Sequence, residues 1–155
     1  MTIPSMGNAA AQIRAEAHEL ASRHAGCRLV DPDDGPLHVL IVDDSPPFRR
    51  AARDLLQRRG YLVVGEAGTV AAAFNAVEHA TPDAVLVDVG LPDGCGFELA
   101  AALTRAHPNL AVLLMSADDP PDAKERLSAS GARGLVLKSC LAAAPLERYW
   151  PTPSP

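Results

Sequence analysis

Residues 83–94 read Asp83-Ala84-Val85-Leu86-Val87-Asp88-Val89-Gly90-Leu91-Pro92-Asp93-Gly94. Four apolar residues, Ala84 to Val87, stand in a row without polar alternation and run into a carboxylate at Asp88. A short apolar run of this kind predicts a strand covered on both faces. Such strands belong to parallel sheets, because each crossover lays a helix over one side. Asp93-Gly94 reads as a turn and is given no chemical role.

Outward from this run the same pattern recurs. Leu37–Val42, Tyr61–Val64, Leu110–Met115 and Leu135–Leu137 predict four more strands. Helical spacing fills the gaps. Ser45-Pro46 supplies a capping hydroxyl and a proline at the first helical position. The following stripe is Phe48, Ala52, Leu55 and Leu56, and Gly60 closes the helix. A second helix is predicted over Val70–His79 with Phe74 and Val77 inward. A third covers Phe97–His107, with Phe97, Leu99 or Ala100, and Leu103 at helical spacing. A fourth covers Asp122–Ala129 and ends at Gly131. Five strands alternating with helices make an α/β fold, a doubly wound five-stranded parallel sheet.

The totals suit one domain. The chain has 155 residues, 48% apolar content and a formal charge of −5. That charge argues against a nucleic-acid surface, which needs clustered Lys and Arg. Cys27, Cys95 and Cys140 form no CxxC pair, so neither a zinc site nor a disulfide framework is indicated. Cys95 reads as a small buried residue. No basic start followed by a long apolar stretch marks a signal peptide, and no apolar run is long enough to span a bilayer. These features predict a cytoplasmic protein with no membrane partner. Residues 1–36 read as an N-terminal extension, with a helix over Ala9–His24 and a turn-rich linker over 31–36. Residues 37–150 make the main domain, and 151–155 a proline-rich tail. His18-Glu19-Leu20 reads as an ordinary exposed stretch, and the arginines at 49, 50, 53, 58 and 59 as a solvated helix face.

Polar residues gather where the strands stop. Asp43 and Asp44 follow the first run, Asp88 the third, Ser116 the fourth and Lys138 the fifth. In an open parallel sheet those ends share one edge, where ligands bind near the point at which strand order reverses. Three carboxylates together repel one another, and a hard divalent cation with oxygen ligands, Mg2+, relieves this. A carboxylate is also a nucleophile toward phosphorus. The cation and an ammonium neutralise charge on a transferred phosphoryl group, and a hydroxyl donates to one of its oxygens.

Four segments in this order resemble the receiver domain of bacterial two-component response regulators. They are Val39-Leu40-Ile41-Val42-Asp43-Asp44-Ser45, the stretch from Asp83 to Gly96, Leu114-Met115-Ser116-Ala117, and Gly131 to Lys138. The resemblance implies a flavodoxin-like sheet of order 2-1-3-4-5, with Asp88 as phosphoacceptor. It implies Mg2+ held by Asp43, Asp44, Asp88 and the Gly90 carbonyl, Ser116 as switch hydroxyl and Lys138 as phosphate-pairing ammonium. The implied donor is a phosphohistidine on a histidine kinase or histidine phosphotransfer protein. The expected function is a phosphorylation-dependent signalling switch rather than an enzyme. No helix-turn-helix or enzymatic segment follows Lys138, so a stand-alone receiver acting through a downstream protein is expected, with no direct nucleic-acid contact. Three residues depart from the family pattern. Leu135 stands where an aromatic residue is usual, Ser139 where many members have proline, and Pro145 interrupts the last helix. One helical turn over Leu141–Ala144 and a short helix over Pro145–Trp150 are predicted instead. The alternative function is a phosphorylation-independent interaction module with the same fold.

Overall fold

The computed structural model describes residues 35–150. The helix predicted over 9–24, Cys27, His18-Glu19-Leu20 and the tail 151–155 lie outside the described residues. Elements follow in the order β1 His38–Val42, α1 Pro46–Arg58, β2 Leu62–Ala67, α2 Val70–Ala80, β3 Ala84–Asp88, β4 Gly90–Leu91, β5 Gly94–Cys95, α3 Gly96–Ala106, β6 Ala111–Ser116, α4 Ala123–Ser130 and β7 Gly134–Leu137. Two 3-10 helices close the described chain, Lys138–Ala143 and Leu146–Arg148.

The main sheet runs β2-β1-β3-β6-β7 with every pairing parallel. Counting only its five strands along the chain, this is the flavodoxin-like order 2-1-3-4-5 that the family resemblance implies. The extra pair, β4 with β5, is a small antiparallel hairpin just past β3. Its tight turn is the Pro92-Asp93 corner.

Continuous apolar runs make two cores at once, because successive strand side chains face opposite ways. Val39, Ile41, Leu86, Leu113 and Met115 pack on one face with Ala52 and Leu56 of α1 and with Leu141, Leu146 and Trp150. Leu40, Val42, Val85, Val87 and Leu114 pack on the other with Ala73 and Val77 of α2 and Phe97, Leu99 and Leu103 of α3.

Three local expectations are corrected. Phe74 does not point inward but is 40% exposed. Helix α2 buries Ala73 and Val77, an i, i+4 pair that defines its inner face, and position 74 is turned about 100° away from 73. Strand β2 lies later than predicted, because Tyr61 precedes it and is buried edge-on against Trp150 at 5.5 Å between ring centroids. The predicted pair of short helices at the end is replaced by the two 3-10 segments. Proline at 145 removes a backbone donor there, and Ala144 between them is extended.

Candidate functional site at the sheet switch point

From β1 the chain crosses to β2 on one side and later to β3 on the other. The crevice between the C-terminal ends of β1 and β3 is therefore the switch point of the sheet. The ladder continues one residue past these strands: the Asp43 amide donates to the Ala67 carbonyl and the Val89 amide to the Met115 carbonyl. This fixes Asp43 and Asp88 side by side. Asp43 is fully buried, Asp88 is 6% exposed, and Asp44 is exposed. One carboxylate oxygen from each of the three lies within 4.8 Å of the other two.

Lys138 comes from the opposite side, as the first residue after β7. Its Nζ lies 2.5 Å from Asp43 Oδ2 and donates to Asp88 Oδ2 at 3.0 Å. The Asp43 contact is a close ion pair without the angle of a directed hydrogen bond. The other oxygens are also held: the Ser45 amide donates to Asp43 Oδ1 at 2.8 Å and the Gly90 amide to Asp88 Oδ1 at 3.2 Å.

Burial pushes the Asp88 carboxyl above the ordinary carboxylate range. Hydrogen bonds from Lys138 and Gly90 pull it down, the Asp43 charge pushes further up, and the net shift is upward. For Lys138, burial works against the charged form, but the carboxylates of Asp43 and Asp88 overcome it and hold the ammonium above its usual value. The folded chain thus keeps a protonated lysine against poorly solvated carboxylates.

The sequence-predicted residues converge with one exception in contact. Asp43, Asp44, Asp88 and Lys138 form the cluster, and Gly90 joins through its amide. Ser116 ends β6 and is buried, but its hydroxyl donates to the Asp118 carbonyl at 2.5 Å and is not bonded to Asp88. A buried hydroxyl takes the acceptor within reach, and here that acceptor is the next loop.

Three further residues shape the site. Arg49 of α1 donates to the Asp43 carbonyl at 2.6 Å and pairs with Glu66, so part of the arginine-rich face braces the acidic loop instead of facing solvent. Asp93 accepts from the Val70 and Ala71 amides, at 2.7 and 3.2 Å. It caps α2 from the loop after Asp88, beyond the turn role read for it. Gly96 lets α3 start against β3: a Cβ there would meet the Asp88 carbonyl oxygen at 2.2 Å. Glycine was the available signal for this close approach, whereas the Arg49 and Asp93 contacts are tertiary and leave no periodic mark.

The donor set fits a small hard cation. It offers carboxylate oxygens at the strand ends, without a sulfur or imidazole ligand among the described residues of the cluster.

Comparison with known proteins agrees with this geometry. The model of the response regulator receiver domain matches residues 39–148. The DNA-binding transcriptional activator DevR/DosR of Mycobacterium tuberculosis is 42% identical over 101 residues, covering 64% of this chain and 46% of that protein. The nitrate/nitrite response regulator protein NarP of Escherichia coli is 32% identical over 108 residues, 69% of this chain and 50% of that protein. The solved signal receiver domain of NarL from Mycobacterium tuberculosis superposes with a TM-score of 0.65 at 33% identity, covering 70% of this chain and 89% of that one. The chain spans about half the length of the curated relatives it matches. These relatives correct one expectation, that of no nucleic-acid partner: one of them is itself a DNA-binding transcriptional activator. A net charge of −5 is a sum over the chain and does not exclude a nucleic-acid contact. Among the described residues, no helix is long and apolar enough to cross a membrane.

Proposed function

Because this chain belongs to the response-regulator receiver domain family, we propose that residues 37–150 act as a phosphorylation-dependent switch with Asp88 as acceptor. The observation that carries the proposal is the Asp88 carboxylate at the switch point, with Lys138 Nζ at 3.0 Å and two more carboxylates beside it.

In the proposed step an Asp88 carboxylate oxygen attacks the phosphorus of a phosphohistidine. An oxygen–phosphorus bond forms, the nitrogen–phosphorus bond breaks, and the imidazole leaves with its electron pair. Asp43, Asp44, Asp88 and the Gly90 carbonyl are the residues that would hold Mg2+, which supplies charge neutralisation on the transferred group when bound. Lys138 stays beside Asp88 and balances the phosphoryl charge as it arrives. Ser116 exchanges its bond with the Asp118 carbonyl for one with a phosphoryl oxygen. That exchange releases the loop after β6, which is how a local charge change biases a two-state element. Leu135, in place of the family's usual aromatic residue, makes the loop movement the main readout.

The names of the relatives support transcriptional control as the output of a protein containing this switch. The chain's own contribution is to change a contact surface when Asp88 is modified. The test is incubation with Mg2+ and a radiolabelled small-molecule phosphodonor. Label is expected in the native chain and not in Asp88→Asn; equal labelling of both would overturn the assignment. The second reading, a phosphorylation-independent interaction module, is favoured by Leu135 and by the 3-10 segments that stand in for a last helix. Partner binding that ignores both phosphodonor and Asp88→Asn would select it.

A further inference from the structure

The Lys138 ammonium has a third neighbour, on α1. Its Nζ lies 4.5 Å from the centroid of the Phe48 ring, inside the ~6 Å over which a ring face attracts a cation. We propose that Phe48 is a positioning residue for phosphoryl transfer, its ring holding the Lys138 ammonium beside Asp88 when the carboxylates are otherwise engaged. This rests on the reading of Asp88 as acceptor and adds a residue to that site.

Lysine is a compact charge on a flexible four-carbon stem. Lys138 follows directly on β7 and opens the 3-10 helix Lys138–Ala143. Two carboxylates draw it in. A cation taken up by Asp43 would compete for the oxygen that Lys138 now contacts, and the pull from that side would fall. The attraction of a ring face is quadrupolar and does not depend on those carboxylates. Phe48 therefore keeps the ammonium in place at the stage when it is needed.

The sequence builds this device in one short segment. Asp43 Oδ1 accepts from the Ser45 amide at 2.8 Å, and the Ser45 hydroxyl caps α1 by accepting from the Phe48 amide at 3.4 Å. The turn that presents an oxygen to Lys138 thus also places the ring. Phe48 packs at the rim of the core that holds Ala52 and Leu56. It is only half-buried, whereas those two residues on the same helix are buried.

The chain contains two lysines, Lys124 and Lys138, so lysine-selective isotope labelling resolves both by NMR, with the exposed Lys124 as internal reference. In the native chain the Lys138 ε-methylene protons are expected upfield of those of Lys124, from the ring current. Phe48→Leu should bring them together and Phe48→Tyr should keep them apart. Labelling by the small phosphodonor at saturating Mg2+ should slow about fivefold in Phe48→Leu, equivalent to about 1 kcal/mol, and recover in Phe48→Tyr. Where Phe48→Leu folds poorly, Phe48→Met serves as the ringless variant. No upfield shift in the native chain overturns the proposal, as does a ringless variant labelled at the native rate or Phe48→Tyr as slow as Phe48→Leu. An upfield shift in a chain that takes no label leaves Lys138 on the ring but removes its catalytic purpose, and it is then the acceptor reading that fails.

Discussion

Asp88 carries a charge that its surroundings disfavour. Burial and the neighbouring Asp43 raise its carboxyl above the ordinary range despite Lys138. The folded chain holds that proton to higher pH than the unfolded chain does. Stability without metal therefore falls as pH rises from the ordinary carboxylate range through the raised value, and the deficit persists at neutral pH. Asp88→Asn should flatten this dependence and stabilise the metal-free chain by about 1 kcal/mol at neutral pH, a rise of about 4 °C in Tm for a domain of this size. Thermal melts between pH 4 and 7 in chelator check it, and a variant no more stable than the native chain would count against it. Lys138 carries the opposite consequence. Its shift is upward, so its stabilising contribution is complete below the ordinary lysine value and is lost only in alkaline solution. Lys138→Met leaves two buried carboxylates facing each other. It should cost about 2 kcal/mol in the absence of metal while tightening Mg2+ binding, with labelling slowed. Urea unfolding and a magnesium titration read these two opposed effects separately.

At the scale of elements, the final segment does the work of a helix without being one. Trp150 is 1% exposed and meets Tyr61 edge-on. Leu141 and Leu146 complete the same core. Trp150→Ala should therefore cost about 3 kcal/mol, seen as a lower urea midpoint, and a change under 1 kcal/mol would show that this segment only rests on the domain. The strand ends are legible in the sequence, because an apolar run stopping at a charged or hydroxyl residue is a local signal, and Ser45-Pro46 marks the start of α1. What escaped reading has tertiary causes. Phe74 sits on a helix whose smaller side chains, Ala73 and Val77, form the inner face, so side-chain size does not mark the buried side. Glu66 lies inside β2, opposite Ile41 of β1, with Arg49 and Arg53 meeting its carboxylate from α1. The hydroxyl of Ser116 turned to Asp118, a contact that only the folded loop creates. The break at Pro145 is legible in the sequence, but the 3-10 geometry on either side of it is not, since no local spacing signal distinguishes it from a helical turn.

At the scale of the described residues, the acidic cluster and Lys138 sit together at the C-terminal edge of the five-stranded sheet. Two cores, one on each face, fix the strands that carry Asp43, Asp88, Ser116 and Lys138. A cation that binds only the folded arrangement must stabilise the whole domain by mass action. Mg2+ at about a hundred times its dissociation constant should add roughly 2.7 kcal/mol, seen as a Tm that climbs with concentration. Replacing Asp43 and Asp44 together by Asn should abolish that rise. A rise of equal size in the double variant would move the cation elsewhere.

The central claim is that Asp88 itself takes the phosphoryl group. The direct measurement is to expose the full chain to a small phosphodonor with Mg2+, reduce the product with borohydride, which converts an aspartyl phosphate to homoserine, and locate the change by peptide mass spectrometry. Homoserine at position 88, absent when Mg2+ is chelated, is the predicted result. Conversion at another aspartate, or none in a chain shown to be folded, would contradict the account.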